Sequence, residues 1–267
     1  MRGLVFGYWT AVALAGLPVV AHAAWSGAAQ VALVLVAAGA VAVGVTRHAP
    51  AQRWPWVTVA VALGAWTLAE RVPPTAGGLI RLVGFVALAA GLLRLRRPPG
   101  EGHGEVIMLD TLTAVLLLVL SSALLRPPDL PWWWSAPASA PLGDAILFLA
   151  AVRLTIVGRP NPSARSLVVG TAAALVADTL AALAATNVIE PFAGGQTLAA
   201  AVAVASLGWA ALHPSMACLN VPRPRTVAPS LRGFWVTAAS ALVAPLVMLG
   251  QALTGGVRDG VVLGATG

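Results

Sequence analysis

The chain has 267 residues, of which 59% are hydrophobic and 9% charged, with a mean hydropathy of +0.87. A soluble domain carries about 25% charged residues, so this composition excludes a soluble enzyme fold and implies an all-α, polytopic transmembrane helix bundle. Sixteen arginines, no lysine and nine carboxylates give a net charge of +7 and a pI near 11.5. The arginines fall between apolar runs rather than in one patch, which points to topology signals beside anionic lipid and away from nucleic acid. Cys218 is the only cysteine, so no internal disulfide forms, and the four scattered histidines complete no zinc framework.

A helix crossing the hydrocarbon needs about 20 apolar residues. Segments that meet or approach this length are 4–24, 28–46, 55–70, 77–95, 106–125, 141–158, 166–186, 195–212 and 233–253, and a tenth run begins at Val261. Residues 1–260 therefore read as one integral membrane helical domain, and 261–267 as the start of a truncated tenth span. The first run also fits a signal peptide: Arg2, an apolar stretch and Ala21-His22-Ala23. Tyr8, Trp9 and Pro18 within it, and a second span directly after it, favour an uncleaved helix.

Arginine counting orders these spans. With a cytoplasmic N-terminus, the inner segments hold Arg2, Arg47, Arg53, Arg94, Arg96, Arg97, Arg159, Arg165, Arg223, Arg225 and Arg232. The outer segments hold only Arg71, Arg126 and Arg258. This asymmetry predicts a multi-pass protein of the cell inner (plasma) membrane with its N-terminus in the cytoplasm. The outer segment 126–141 carries Pro127, Pro128, Pro131 and Pro137 around Trp132-Trp133-Trp134, so it cannot be a regular helix throughout. The three tryptophans suit the headgroup level as an anchor, or as an aromatic lid over an external pocket.

No catalytic constellation, cofactor motif or metal-ligand spacing occurs, so no catalytic, cofactor-binding or metal-binding residue and no cofactor is expected. Leu109-Asp110-Thr111-Leu112-Thr113 echoes a string that opens nucleotide cyclase domains, but it lacks the following Asn-Arg and opens a span. Five ionisable residues lie inside spans: Arg81, Asp110, Asp144, Arg153 and Asp178. Left unpaired in lipid, each costs several kcal/mol, so each faces the bundle interior or a wet cavity. Asp144 and Arg153 are nine residues apart, on opposite helix faces and about 13.5 Å apart along the axis. Matching the residues by depth predicts Asp110–Arg153 and Arg81–Asp144 as structural ion pairs between helices. Asp178 is left about 12 Å below the outer face with no cation at its depth. That makes Asp178 the candidate for intramembrane ligand or proton sensing.

Pro141-Leu142-Gly143-Asp144 opens one span, Val176-Ala177-Asp178 lies in the next, and Gly208-Trp209-Ala210-Ala211-Leu212-His213-Pro214-Ser215-Met216 closes the one after. This order resembles the multi-span N-terminal sensory region of diguanylate cyclases and cyclase-phosphodiesterases from high-GC Gram-positive bacteria, over residues 70–253. The family-like motif is His213, Pro214, Ser215 and Met216. The resemblance implies a sensory or regulatory membrane domain of a cyclic di-GMP signalling protein, passing its signal to a cytoplasmic GGDEF or EAL output domain. Neither string occurs in this chain, so the resemblance implies a fragment or a protein without its output, and any cyclase activity would belong to that domain. A small-solute transporter and a structural membrane protein are the alternatives; no matching halves with broken helices favour the first of these. The expected partners are the lipid bilayer and a further copy of the chain, with no nucleic acid.

Overall fold

A backbone that crosses hydrocarbon must satisfy its own N–H and C=O groups, which leaves the α-helix as the form open to these apolar runs. The computed structural model describes residues 2–20, 26–95, 136–156, 161–185 and 193–219. These residues form seven α-helices: α1 (Arg2–Val20), α2 (Ser26–His48), α3 (Trp54–Ala69), α4 (Pro74–Arg94), α5 (Ala136–Ile156), α6 (Pro162–Ala185) and α7 (Ala193–Leu212). A 3-10 turn, Pro214–Cys218, follows α7. Among the described residues four stretches are long and apolar enough to cross a membrane: Gly27–His48, Ala76–Arg94, Pro162–Ala184 and Gly194–Leu212. Gly3–Pro18, Trp54–Ala69 and Gly143–Val152 are apolar but shorter. Of the nine expected spans, four stand at full length and three as shorter apolar helices among the described residues. The spans at 106–125 and 233–253, the run from Val261 and the Trp132–Trp134 cluster lie outside the described residues.

Three helices begin three to five residues earlier than the apolar runs suggest, α6 among them at Pro162 rather than at residue 166. α4 starts at Pro74 rather than at residue 77, and α5 starts at Ala136 rather than at residue 141. Proline suits the first turn, where its missing N–H would have no helical partner. Pro141 lies further in and removes the amide bond to the carbonyl of Pro137. Of the segment 126–141, the part from Ala136 is thus helical despite its prolines, and 126–135 lies outside the described residues.

α2 to α7 pack in chain order, each against the next, and α7 closes back onto α2. Among the described residues the result is a ring of six helices. α1 lies outside it, against α2 and α7, where the Tyr8 hydroxyl donates to the Ala205 carbonyl and Tyr8 and Trp9 pack on Trp209. The ring approaches closely at glycines: a side chain at Gly44 would strike the Ala211 carbonyl of α7, and one at Gly91 would strike Thr58 of α3. Small residues at helix contacts are how apolar helices gain packing in lipid.

Burial follows the ring. Trp56, Leu63, Phe85, Leu88, Leu92, Ile146 and Leu147 are almost fully buried. The outward faces are also apolar, with Phe6 75%, Leu14 69%, Leu35 65% and Val83 58% exposed. A soluble monomer does not display large apolar side chains along so many of its helices. An acyl-chain solvent accounts for that surface.

Candidate functional site

The six ring helices do not fill their interior evenly. At the end formed by the starts of α2, α4, α5 and α7 and the ends of α3 and α6, they enclose a cavity of about 420 Å³. Every ring helix contributes to its wall. Apolar side chains from Leu33, Leu63, Trp66, Phe85 and Leu207 make up part of it; Gln30, Thr67, Glu70, Arg81, Asp144, Asp178 and Gln196 supply the polar part. At the rim, Gln30 Nε2 donates to Glu70 Oε2 at 2.8 Å and Arg71 Nη2 donates to the Gly27 carbonyl at 3.0 Å. These two bonds tie the start of α2 to the end of α3.

The charged centre is a triad of Arg81, Asp144 and Asp178 from three helices. Arg81 Nη1 lies 3.9 Å from Asp178 Oδ2, with the two side chains 32% and 31% exposed. Asp144 is 2% exposed and, among the described residues, its Oδ2 has no hydrogen-bond partner. The Asp144 and Asp178 carboxyls are neighbours on the cavity wall. Asp178 is therefore not without a cation, as its depth in the sequence suggested, and the ion pair of Arg81 falls on Asp178 rather than Asp144. The reason is the early helix starts. Counted from Pro74 and Ala136, Arg81 and Asp144 lie about 10 and 12 Å in, level with Asp178 at about 10 Å from Ala185. The other expected pair cannot be located: Asp110 and the side chain of Arg153 lie outside the described residues.

The His213-Pro214-Ser215-Met216 motif is at the opposite end of the ring. His213 caps the 3-10 turn, accepting at Nδ1 from the Ser215 amide at 3.2 Å, which puts the ring proton on Nε2. Ser215 Oγ lies 2.8 Å from His213 Nδ1, 2.8 Å from Ser163 Oγ and 2.8 Å from Asn161 Oδ1, and it accepts from the Ser163 amide at 3.1 Å. Asn161 also donates to the Ser215 carbonyl at 3.0 Å and caps α6 by accepting from the Ala164 amide at 3.2 Å. His48 of α2 reaches the Leu212 carbonyl at 3.0 Å. Burial, and then the nearby His48, hold His213 below its ordinary pKa. Met216 is fully buried. This knot joins α2, α6 and α7 through side chains.

Sequence reasoning missed Gln30, Glu70 and Gln196, whose positions at helix ends look like ordinary interfacial polarity. It also missed Asn161 and Ser163, although Asn161-Pro162 carries a helix-start signature of cap followed by proline. Among the described residues no group of three His, Cys, Asp or Glu side chains could hold a metal ion. No family model, curated protein or solved structure matches the chain.

Proposed function

We propose that this chain is a membrane-embedded sensory domain that binds a ligand in the charged cavity and transmits its occupancy to the far end of the ring. The observation that carries the reading is the pairing of two polar sites on the same helices. α6 and α7 both line the cavity at one end and both enter the Asn161–Ser163–His213–Ser215 knot at the other. A ligand that draws Asp178 on α6 toward Asp144 or Arg81 acts on a rigid rod whose other end is held by that knot. Such a shift is a change of population between two packings, biased by the ligand's differential contacts.

The cavity end is external in this reading and the knot cytoplasmic. Among the described residues Arg47, Arg53, Arg94 and Arg165 stand at the knot end and Arg71 at the cavity end, the asymmetry expected of a cytoplasmic face. The N-terminus is then cytoplasmic and the protein resides in the plasma membrane, with nine spans. The resemblance carried by His213, Pro214, Ser215 and Met216 supplies the output: synthesis or breakdown of cyclic di-GMP by a cytoplasmic GGDEF or EAL domain.

The test is the cellular cyclic di-GMP level in the host carrying Asp178→Asn or Ser215→Ala at the native locus, at matched protein levels. The level shifts in both strains if the cavity and the knot belong to one signalling path. An unchanged level in both contradicts the output assignment. A second reading, small-solute transport, is favoured by one observation: the intramembrane charges line a cavity between the helices. Solute accumulation by proteoliposomes holding the chain alone would select it.

A further inference from the structure

We infer that the cavity recognises a small organic cation, a primary ammonium ion carrying an apolar body. The inference deepens the reading of the cavity as a ligand site and rests on it. Charge is the first ground. Among the described residues Glu70, Asp144 and Asp178 line the cavity wall with Arg81, while the Arg71 guanidinium is held at the rim by the Gly27 carbonyl. Asp144 is the second. Its Oδ2 is buried, lines the cavity and has no partner, and a buried acceptor without a donor costs free energy that a ligand N–H recovers.

The Arg81–Asp178 pair is open enough to admit a competitor. At 3.9 Å it is longer than a charge-assisted hydrogen bond, which runs about 2.7–2.9 Å. An ammonium ion has three donors, enough to serve Asp144 Oδ2 and Asp178 on the same wall together. The rest of the wall selects the body of the ligand. Trp66 and Phe85 line the same cavity, with ring centroids 5.7 Å apart, and aromatic faces attract a cation and shelter an apolar group. A metal ion fits less well, because no three metal-ligating side chains converge among the described residues. The volume of about 420 Å³ exceeds that of one small amine, so water accompanies the ligand.

The test is calorimetric titration of the full chain, in detergent or nanodiscs, with phenethylammonium, its neutral isostere 2-phenylethanol and the anion 3-phenylpropanoate. The ammonium ion binds, the alcohol binds about tenfold or more weakly, and the anion does not bind. Asp144→Asn lowers ammonium affinity by about tenfold or more, and Glu70→Gln, at the exposed rim, lowers it less. The wild-type selectivity needs no variant, so a poorly folding substitution does not blur the result. Equal binding of alcohol and ammonium, or binding of neither, overturns the inference. If the ammonium ion binds with this selectivity while Asp178→Asn leaves cyclic di-GMP unchanged, the ligand class stands and the signalling output falls. If cyclic di-GMP responds and no ammonium ion binds, the output stands and the ligand class falls.

Discussion

Asp178 carries the central contrast between sequence and structure at the scale of single residues. Its presence inside an apolar run marks it as costly and therefore in need of a partner or a wet cavity, and that much needs only the sequence. Its partner needs the helix starts, because a three- to five-residue error in where a span begins moves a side chain about 4.5–7.5 Å along the axis. Arg81→Ala is expected to destabilise the protein by roughly 1–2 kcal/mol, less than opening a fully buried pair, because both side chains are about a third exposed. Adding Asp178→Asn should recover part of that loss, and thermal unfolding of the three variants in one detergent measures it. Loss of equal size in the double variant would mean that Arg81 acts through packing alone. His213 supplies a pH dependence. Its neutral form is the one the fold holds, since Nδ1 must accept from the Ser215 amide. The unfolded chain takes up a proton near pH 6.5, which the fold resists. Stability is therefore complete above about 6.5 and declines as the pH falls below it. Wild type should lose more melting temperature than His213→Asn between about pH 7.5 and 5.5, and parallel curves would remove His213 from the explanation.

Whole helices were easier to read than their contacts. The seven described helices fall on seven of the apolar runs, because length and hydropathy suffice for a helix in lipid. Their ends were less legible: Pro73-Pro74 and Pro137 look like breaks, yet proline in a first turn starts a helix rather than stopping it. The order of the ring was not legible at all. It depends on which faces carry small residues, and in runs built of alanine, glycine and valine many faces qualify. Gly44 and Gly91 are where the structure decides. Gly44→Leu should force α2 from α7, and Gly91→Val should force α3 from α4, each at about 1–3 kcal/mol or more. Gly39→Ala is the control, since a side chain there meets nothing within 4 Å and should leave the melting temperature unchanged. If Gly44→Leu is as harmless as the control, the α2–α7 closure of the ring is wrong.

At the scale of the molecule, the two ends of the ring differ in kind. One holds a cavity with an unpartnered carboxylate oxygen; the other holds a dense hydrogen-bonded knot with Met216 and Leu219 buried beneath it. The sequence pointed to this polarity through its arginines, but it offered the His213–Met216 string only as a likeness, without the Asn161 and Ser163 partners that give it a structural role. The knot should be stiff. Ser215→Ala removes the hydroxyl at which three side chains meet and is expected to cost about 1–3 kcal/mol. Everything functional in this scheme depends on which end faces out. Cys218 is the only cysteine, stands at the knot and is partly exposed, so a membrane-impermeant maleimide can report its side directly. A Cys218→Ser, Gln30→Cys variant reports the cavity end in the same assay. The account predicts that intact cells label the cysteine at position 30 and spare Cys218, and that inside-out vesicles label Cys218. Labelling of Cys218 in intact cells would contradict it, because the cavity would then face the cytoplasm and no external ligand could reach Asp144.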